Sequence, residues 1–206
     1  MEKAAPSSPL PLPAAPLRRI GLLGGTFDPV HRGHLTLAEA AREQLQLDEV
    51  WLVVSPQNPF KSADLLTDEH HRLAMVQAAV ADRPGLVASA VEFELPRPSY
   101  TASTFRHLQH THPNGGFVLI IGEDNWQGLT HWKEADWLWQ HLPVAVYPRT
   151  GSPAEPGTLP VHALTGPPVD LSSTDVRDAL LSGQDVSHRL PAGVLDYVRA
   201  HGLYRI

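Results

Sequence analysis

Short runs that are apolar at nearly every position constrain this chain most: Ile20 to Leu23, "VWLVV" at Val50 to Val54, "FVLIIG" ending at Gly122, and "VAVY" at Val144 to Tyr147. A half-exposed strand alternates apolar and polar side chains, whereas an unbroken run needs cover on both faces and suits the interior of a parallel sheet. Helical patterns come between these runs. Leu35, Ala38, Ala41 and Leu45 recur at roughly helical spacing, as do Leu73, Val76 and Val80 behind Thr67 and Asp68, either of which can cap a helix. A helical stretch is expected at Glu134 to His141, and two more in "SSTDVRDALLSG" and "LPAGVLDYVRAHGLYRI", after the short run "VHAL". Strands alternating with helices predict βαβ units and an α/β fold on an open, doubly wound parallel sheet. Such sheets bind ligands outside the carboxyl ends of their strands, so chemistry is expected in the loops that follow the apolar runs.

At 206 residues, 42% apolar and 18% charged, the chain can bury one sizeable core, which favours a single domain. A formal charge of −6 argues against an extended nucleic-acid or membrane-binding surface, although a local cluster of cations could still hold a small anion. Cysteine is absent, which removes disulfides, thiolate metal sites and cysteine nucleophiles, and makes the cytoplasm the expected compartment. The opening "MEKAAPSSPLPLPAAP" has no proline-free apolar run long enough for a signal-peptide core, and residues 1–17 are expected to be a disordered or polyproline-like Pro/Ala-rich extension. The domain proper is expected over residues 18–206. A homo-oligomer is left open.

Where the first apolar run ends, the chain reads "GGTFDPVHRGHL", Gly24 to Leu35. Gly24 and Gly25 let the backbone turn sharply and approach a ligand closely. A helix beginning near His31 directs its free N–H groups and positive dipole end into the same space. His31 and His34, three apart, share one face of its first turn, and Gly33 leaves room between them. The pattern describes an anion pocket sized for phosphates. Surface histidines in an ordinary turn, or a zinc site lacking its third ligand, stay open as other readings, whereas the glycine spacing does not match a dinucleotide fingerprint. Far downstream, "LSSTDVR" offers a second helix start: Ser172 as cap with Asp175 as its capping-box partner, hydroxyls at Ser173 and Thr174, and Arg177 one turn in. The remaining histidine pair, in "EHH" at Glu69 to His71, is read as solvated surface.

"GGTFDPVHRGH" resembles the signature of the HxGH nucleotidylyltransferase superfamily, whose second signature, S-[ST]-T-x-x-R, matches "LSSTDVR". Through "SPQNPFK", "PSYTAST", "IIGEDNWQGLTHWKE" and "LPAGVLDYVRAHGLYR" the chain is most similar, within it, to the bacterial nicotinate-nucleotide adenylyltransferase family. The resemblance covers about residues 18–206 and implies a Rossmann-like fold in a single domain.

It also implies a reaction: transfer of the adenylyl group of ATP to nicotinate mononucleotide, giving nicotinate adenine dinucleotide and pyrophosphate, a step of NAD biosynthesis. Mg²⁺ would arrive with ATP rather than in a protein metal site. Carried over residue by residue, His31, His34 and Arg177 are the catalytic residues. ATP would be met by these three together with Gly24, Gly25, Thr26, Phe27, Gly122, Asp124, Arg149, Ser173 and Thr174. Thr26, Lys61, Tyr100, Thr101 and Trp132 would hold the mononucleotide, the pyridine ring stacking on Trp132. One departure stands out: many family members carry "PPH" and a basic residue where this chain has Phe60 and Lys61, so Lys61 is the candidate for the mononucleotide phosphate. The alternatives are a nucleotidylyltransferase using another phosphate acceptor, such as phosphopantetheine, and a non-catalytic nucleotide-binding domain.

Overall fold

A computed structural model of the chain describes residues 8–14, 17–57, 66–148 and 161–205. In chain order its elements are β1 (Arg18–Gly25), α1 (Arg32–Gln44), β2 (Glu49–Val54), α2 (Glu69–Val80), β3 (Leu86–Ser89), α3 (Thr101–Thr111), β4 (Gly115–Gly122), α4 (Glu123–Gly128), α5 (Ala135–His141), β5 (Val144–Tyr147), β6 (His162–Ala163), α6 (Ser173–Leu181) and α7 (Ala192–Ala200). All strand pairings are parallel in one six-stranded sheet of order β3-β2-β1-β4-β5-β6. The expected doubly wound α/β fold is observed, and the apolar runs are its strands. Of "VHAL", only His162 and Ala163 pair, at the sheet edge.

Side-chain alternation along the strands divides the core in two. Ile20 and Leu22 of β1, Phe117, Leu119 and Ile121 of β4, and Val144 and Val146 of β5 face the helices α3 and α5. Leu23, Val118, Ile120, Ala145 and Tyr147 face the other way, under α1, α2, α6 and α7. Cover on both faces is what the unbroken runs demand.

The buried face of α2 differs from the one its apolar spacing predicts. Arg72, Met75, Val76 and Ala79 are buried, and Leu73 and Val80 only partly so. Arg72 turns inward because its guanidinium finds acceptors there. Nε donates to the Thr67 carbonyl at 2.8 Å, one terminal nitrogen to those of Thr26 and Ser55 at 2.7 Å each, and the other to that of Pro56 at 3.0 Å. A buried cation is tolerated when its donors are met in this way. It ties together the loops that leave β1 and β2. His71, expected as solvated surface, is instead half-buried, 3.0 Å from the Tyr197 hydroxyl.

Residues 8–14 touch the domain at the edge and lower end of the sheet. His162 Nε2 donates to the Leu10 carbonyl at 2.8 Å, Leu12 packs on the core, and Pro13 occupies the space a side chain at Gly116 would need.

Candidate active site

Strand order reverses at β1, whose neighbours β2 and β4 connect to opposite sides, and at the carboxyl ends of β1, β4 and β5 a cavity of about 710 Å³ opens. Gly24, Gly25, Thr26 and Phe27 enter it from β1, His31 and His34 from the start of α1, Gly122 and Asp124 from the end of β4, and Ser173 and Thr174 from the start of α6. Tyr100, Thr101 and Trp132 line the same cavity. Lys61 and Arg149 lie outside the described residues.

His31 is the N-cap of α1 and His34 lies in its first turn. The two rings stack, centroids 3.7 Å apart and 25° between planes. His34 Nδ1 accepts the His31 backbone N–H at 3.2 Å, so the proton of the neutral ring sits on Nε2. His31 is 3% exposed, and burial pulls its pKa from 6.5 to about 4, against a smaller opposing pull from the Asp175 carboxylate. Near neutral pH it therefore presents a single ring N–H dipole, not a charge. Gly33 between them is buried, and a Cβ there would run into Val169 and come within 3.1 Å of His31 Nδ1. Phe27 holds a left-handed backbone, φ 49°, with its ring edge-on to His34 at 5.0 Å. For a bulky non-glycine residue that conformation is uncommon and is found where the surrounding structure enforces it.

At α6 the expected capping box is formed. Ser172 Oγ accepts the Asp175 N–H at 3.1 Å and the Asp175 carboxylate accepts the Ser172 N–H at 3.3 Å. Ser173 Oγ donates to the Pro29 carbonyl at 2.9 Å, bridging 144 residues of sequence. Arg177 does not line the cavity. It reaches across to the first loop, donating to the Asp28 carbonyl at 2.7 Å and to Thr174 Oγ1 at 3.2 Å. The two helix starts are thus bolted to each other, and their positive dipole ends face one space.

The aromatic wall is braced from outside. Arg106 of α3 pairs with Glu134 at 2.5 Å and lies 4.0 Å over the Trp137 ring, fastening the segment that carries Trp132, while Lys133 Nζ sits 4.2 Å over the Tyr100 ring. Among the described residues no group of three or more His, Cys, Asp or Glu could hold a metal ion, and no helix is long and apolar enough to cross a membrane.

Sequence reasoning missed several side chains here. Glu92, in a 3₁₀ turn at Val91–Glu94, is buried at the cavity wall, accepts the Thr104 hydroxyl at 2.7 Å, and has its carboxyl pKa raised by burial. Tyr147 also lines the cavity and donates to the Pro167 carbonyl at 2.8 Å, holding the loop that precedes α6. A tyrosine closing an apolar run was a signal for the second. A lone acid in "VEFE" was none for the first.

Residues 22–179 match the model of the cytidylyltransferase-like family. A probable nicotinate-nucleotide adenylyltransferase of Bacteroides fragilis is 42% identical over 179 residues, 85% of this chain and 89% of that one, and its namesake in Thermus thermophilus is 38% identical over 187 residues, 91% and 100%. Among solved structures, Plasmodium falciparum nicotinic acid mononucleotide adenylyltransferase complexed with NaAD superposes with a TM-score of 0.77 at 21% identity, covering 91% of this chain and 97% of that one. That likeness speaks to the fold. With identities of this size over nearly the whole length, and both HxGH and SSTxxR signatures on one cavity, the chain belongs to the nicotinate-nucleotide adenylyltransferase family.

Proposed function

We propose that the chain performs its family's reaction through the cavity described above. A phosphate oxygen of nicotinate mononucleotide attacks the α-phosphorus of ATP. The bond from that phosphorus to the bridging oxygen breaks, and pyrophosphate leaves with the electron pair. One observation carries the reading: the starts of α1 and α6 and an aromatic wall open into one cavity of about 710 Å³.

The nucleophile is a phosphate monoester with a second pKa near 6, so it is largely dianionic at neutral pH and needs no general base. What remains is to align two polyanions and neutralise charge as it develops at the α-phosphorus. His34 Nε2–H and His31 donate to the triphosphate, aided by the positive dipole end of α1. The N–H groups at the start of α6, Ser173 and Thr174 hold the departing pyrophosphate, and Arg177, bonded behind them to the Asp28 carbonyl and Thr174 Oγ1 in the ligand-free protein, is assigned to neutralise its charge. Gly24, Gly25, Thr26, Phe27, Gly122 and Asp124 bear on the nucleotide, and Arg149 is assigned to ATP. Tyr100, Thr101 and Trp132 take the pyridine ring, and Lys61 the mononucleotide phosphate. ATP enters as its Mg²⁺ complex, the ion held by phosphate oxygens and water, which suits a site with no carboxylate cage among its described residues.

The test is pyrophosphate release from MgATP with nicotinate mononucleotide, nicotinamide mononucleotide or phosphopantetheine as acceptor. Release with the first far above the others is expected. Release with phosphopantetheine alone, or with none, overturns the reading.

A further inference from the structure

Beneath the first phosphate loop lies a carboxylate that touches neither the cavity nor solvent. Asp28 is 1% exposed. Its Oδ2 accepts the Thr67 N–H at 3.2 Å, and its Oδ1 accepts the Tyr204 hydroxyl at 2.6 Å, from a residue that follows α7. The backbone of the same short segment performs a different task. The Asp28 carbonyl accepts from Arg177 at 2.7 Å and the Pro29 carbonyl from Ser173 at 2.9 Å. The side chain of Asp28 is therefore anchored below while the carbonyls beside it aim two groups of α6. Arg72, which holds the Thr26 carbonyl at 2.7 Å, also bears on the Asp28 charge, so the start of the loop is pinned to the same foundation.

Tyr204 is built for this contact. Phenylalanine would fill the same space against Met75, whose sulfur lies 3.8 Å from the hydroxyl, so packing leaves the hydroxyl itself unexplained. The backbone at Tyr204 is left-handed, φ 56°, which an L side chain rarely adopts and which turns the ring inward. Burial first, and the Asp28 charge second, push the phenol pKa well above its ordinary value, so the group stays a donor at every working pH. An O–H donated to a carboxylate is among the stronger hydrogen bonds in proteins.

We infer that Tyr204 is a positioning residue for adenylyl transfer: its hydroxyl holds Asp28 so that the Asp28 and Pro29 carbonyls set Arg177 and Ser173 against the pyrophosphate. Tyr204 touches no substrate. It acts through Asp28 on the group that meets the leaving phosphates. The effect belongs in kcat, because Arg177 acts on charge that develops during the reaction, while the mononucleotide wall at Tyr100 and Trp132 is built from other elements.

The inference rests on the reaction proposed above, so wild-type pyrophosphate release is measured first; no release sinks both. With the wild type active, Tyr204→Phe is expected to lower kcat about tenfold, less than the roughly 100-fold cost of a 1 Å misplacement, and to leave the KM for nicotinate mononucleotide within about twofold. In an Arg177→Ala background the same substitution should cost clearly less than in the wild type, only the Ser173 arm remaining, because residues acting through one another are not additive. A folded Tyr204→Phe with wild-type kcat overturns the inference. So does an equal loss in both backgrounds, or a lowered unfolding temperature with unchanged turnover, either of which marks a merely structural role. Should Tyr204→Phe fail to fold, Asp28→Ala, which removes the hydroxyl's acceptor and leaves the backbone carbonyls in place, is put through the same cycle, and unchanged kcat there overturns it equally.

Discussion

His31 makes the stability of the ligand-free protein depend on acid in a predictable way. In the fold its pKa is about 4, against 6.5 when unperturbed, because the ring is 3% exposed and burial disfavours the imidazolium more than Asp175 favours it. Above pH 6.5 the ring is neutral in both states and costs nothing. As pH falls from 6.5 towards 4 the unfolded chain takes up a proton that the fold refuses, so stability is lost through that window and levels off below it. At about 1.36 kcal/mol per pH unit, the gap between 6.5 and about 4 is worth about 3 kcal/mol. That is a large share of the 5–15 kcal/mol typical of a domain. The assay is urea unfolding of wild type and His31→Asn across this range without nucleotide. Asparagine does not titrate and is a good N-cap, and other acid-titrating groups contribute alike to both proteins. The stability of wild type minus that of the variant should fall by about 3 kcal/mol between pH 6.5 and pH 4. A flat difference would mean that His31 titrates normally and is not held neutral beside the phosphates.

Further outcomes follow from the geometry. His34→Ala should lower kcat roughly 100-fold, the cost of one lost oxyanion-type donor, and near-normal turnover in a folded variant would remove His34 from the chemistry. Gly33→Ala should cost about 1–3 kcal/mol and raise the KM for ATP, because its methyl displaces Val169 and presses on His31; unchanged unfolding and kinetics would contradict that crowding. Burial raises the Glu92 carboxyl pKa, so the fold loses stability as pH climbs from about 4.5 to the raised value and regains it on acidification. Glu92→Gln should therefore unfold at a higher temperature than wild type at neutral pH and converge with it in acid. A variant less stable at neutral pH would refute the sign.

Much of the architecture could be read in advance because it is local. Unbroken apolar runs mark β1, β2, β4 and β5, and caps mark α2 and α6, since burial on both faces and satisfaction of free N–H groups leave traces within a few residues. β3 escaped because Leu86–Ser89 is short, with only Leu86 fully buried. The inward face of α2 was misjudged at Arg72, whose burial depends on carbonyls contributed by distant loops. The cavity-lining residues of both signatures were legible for the same reason as the caps. Glu92, Asp28 and Tyr204 were not, because each is defined by a partner elsewhere in the chain: Thr104 for the first, and each other for the last two.

The central position of β1 also sets the order in which competence is acquired. Its partner β2 lies one helix away, but its other partner β4 pairs Leu23 with Ile120, and the loop at Pro29 meets Ser173 across 144 residues. Closing so long a segment costs little more entropy than closing one half its length, yet it cannot happen until the distant residues exist. During synthesis the β1 to β3 half can assemble by neighbouring contacts while its phosphate loop still lacks the α6 half of its grip. Any ligand that needs both halves of the site stabilises only the chains in which Asp28 has met Arg177.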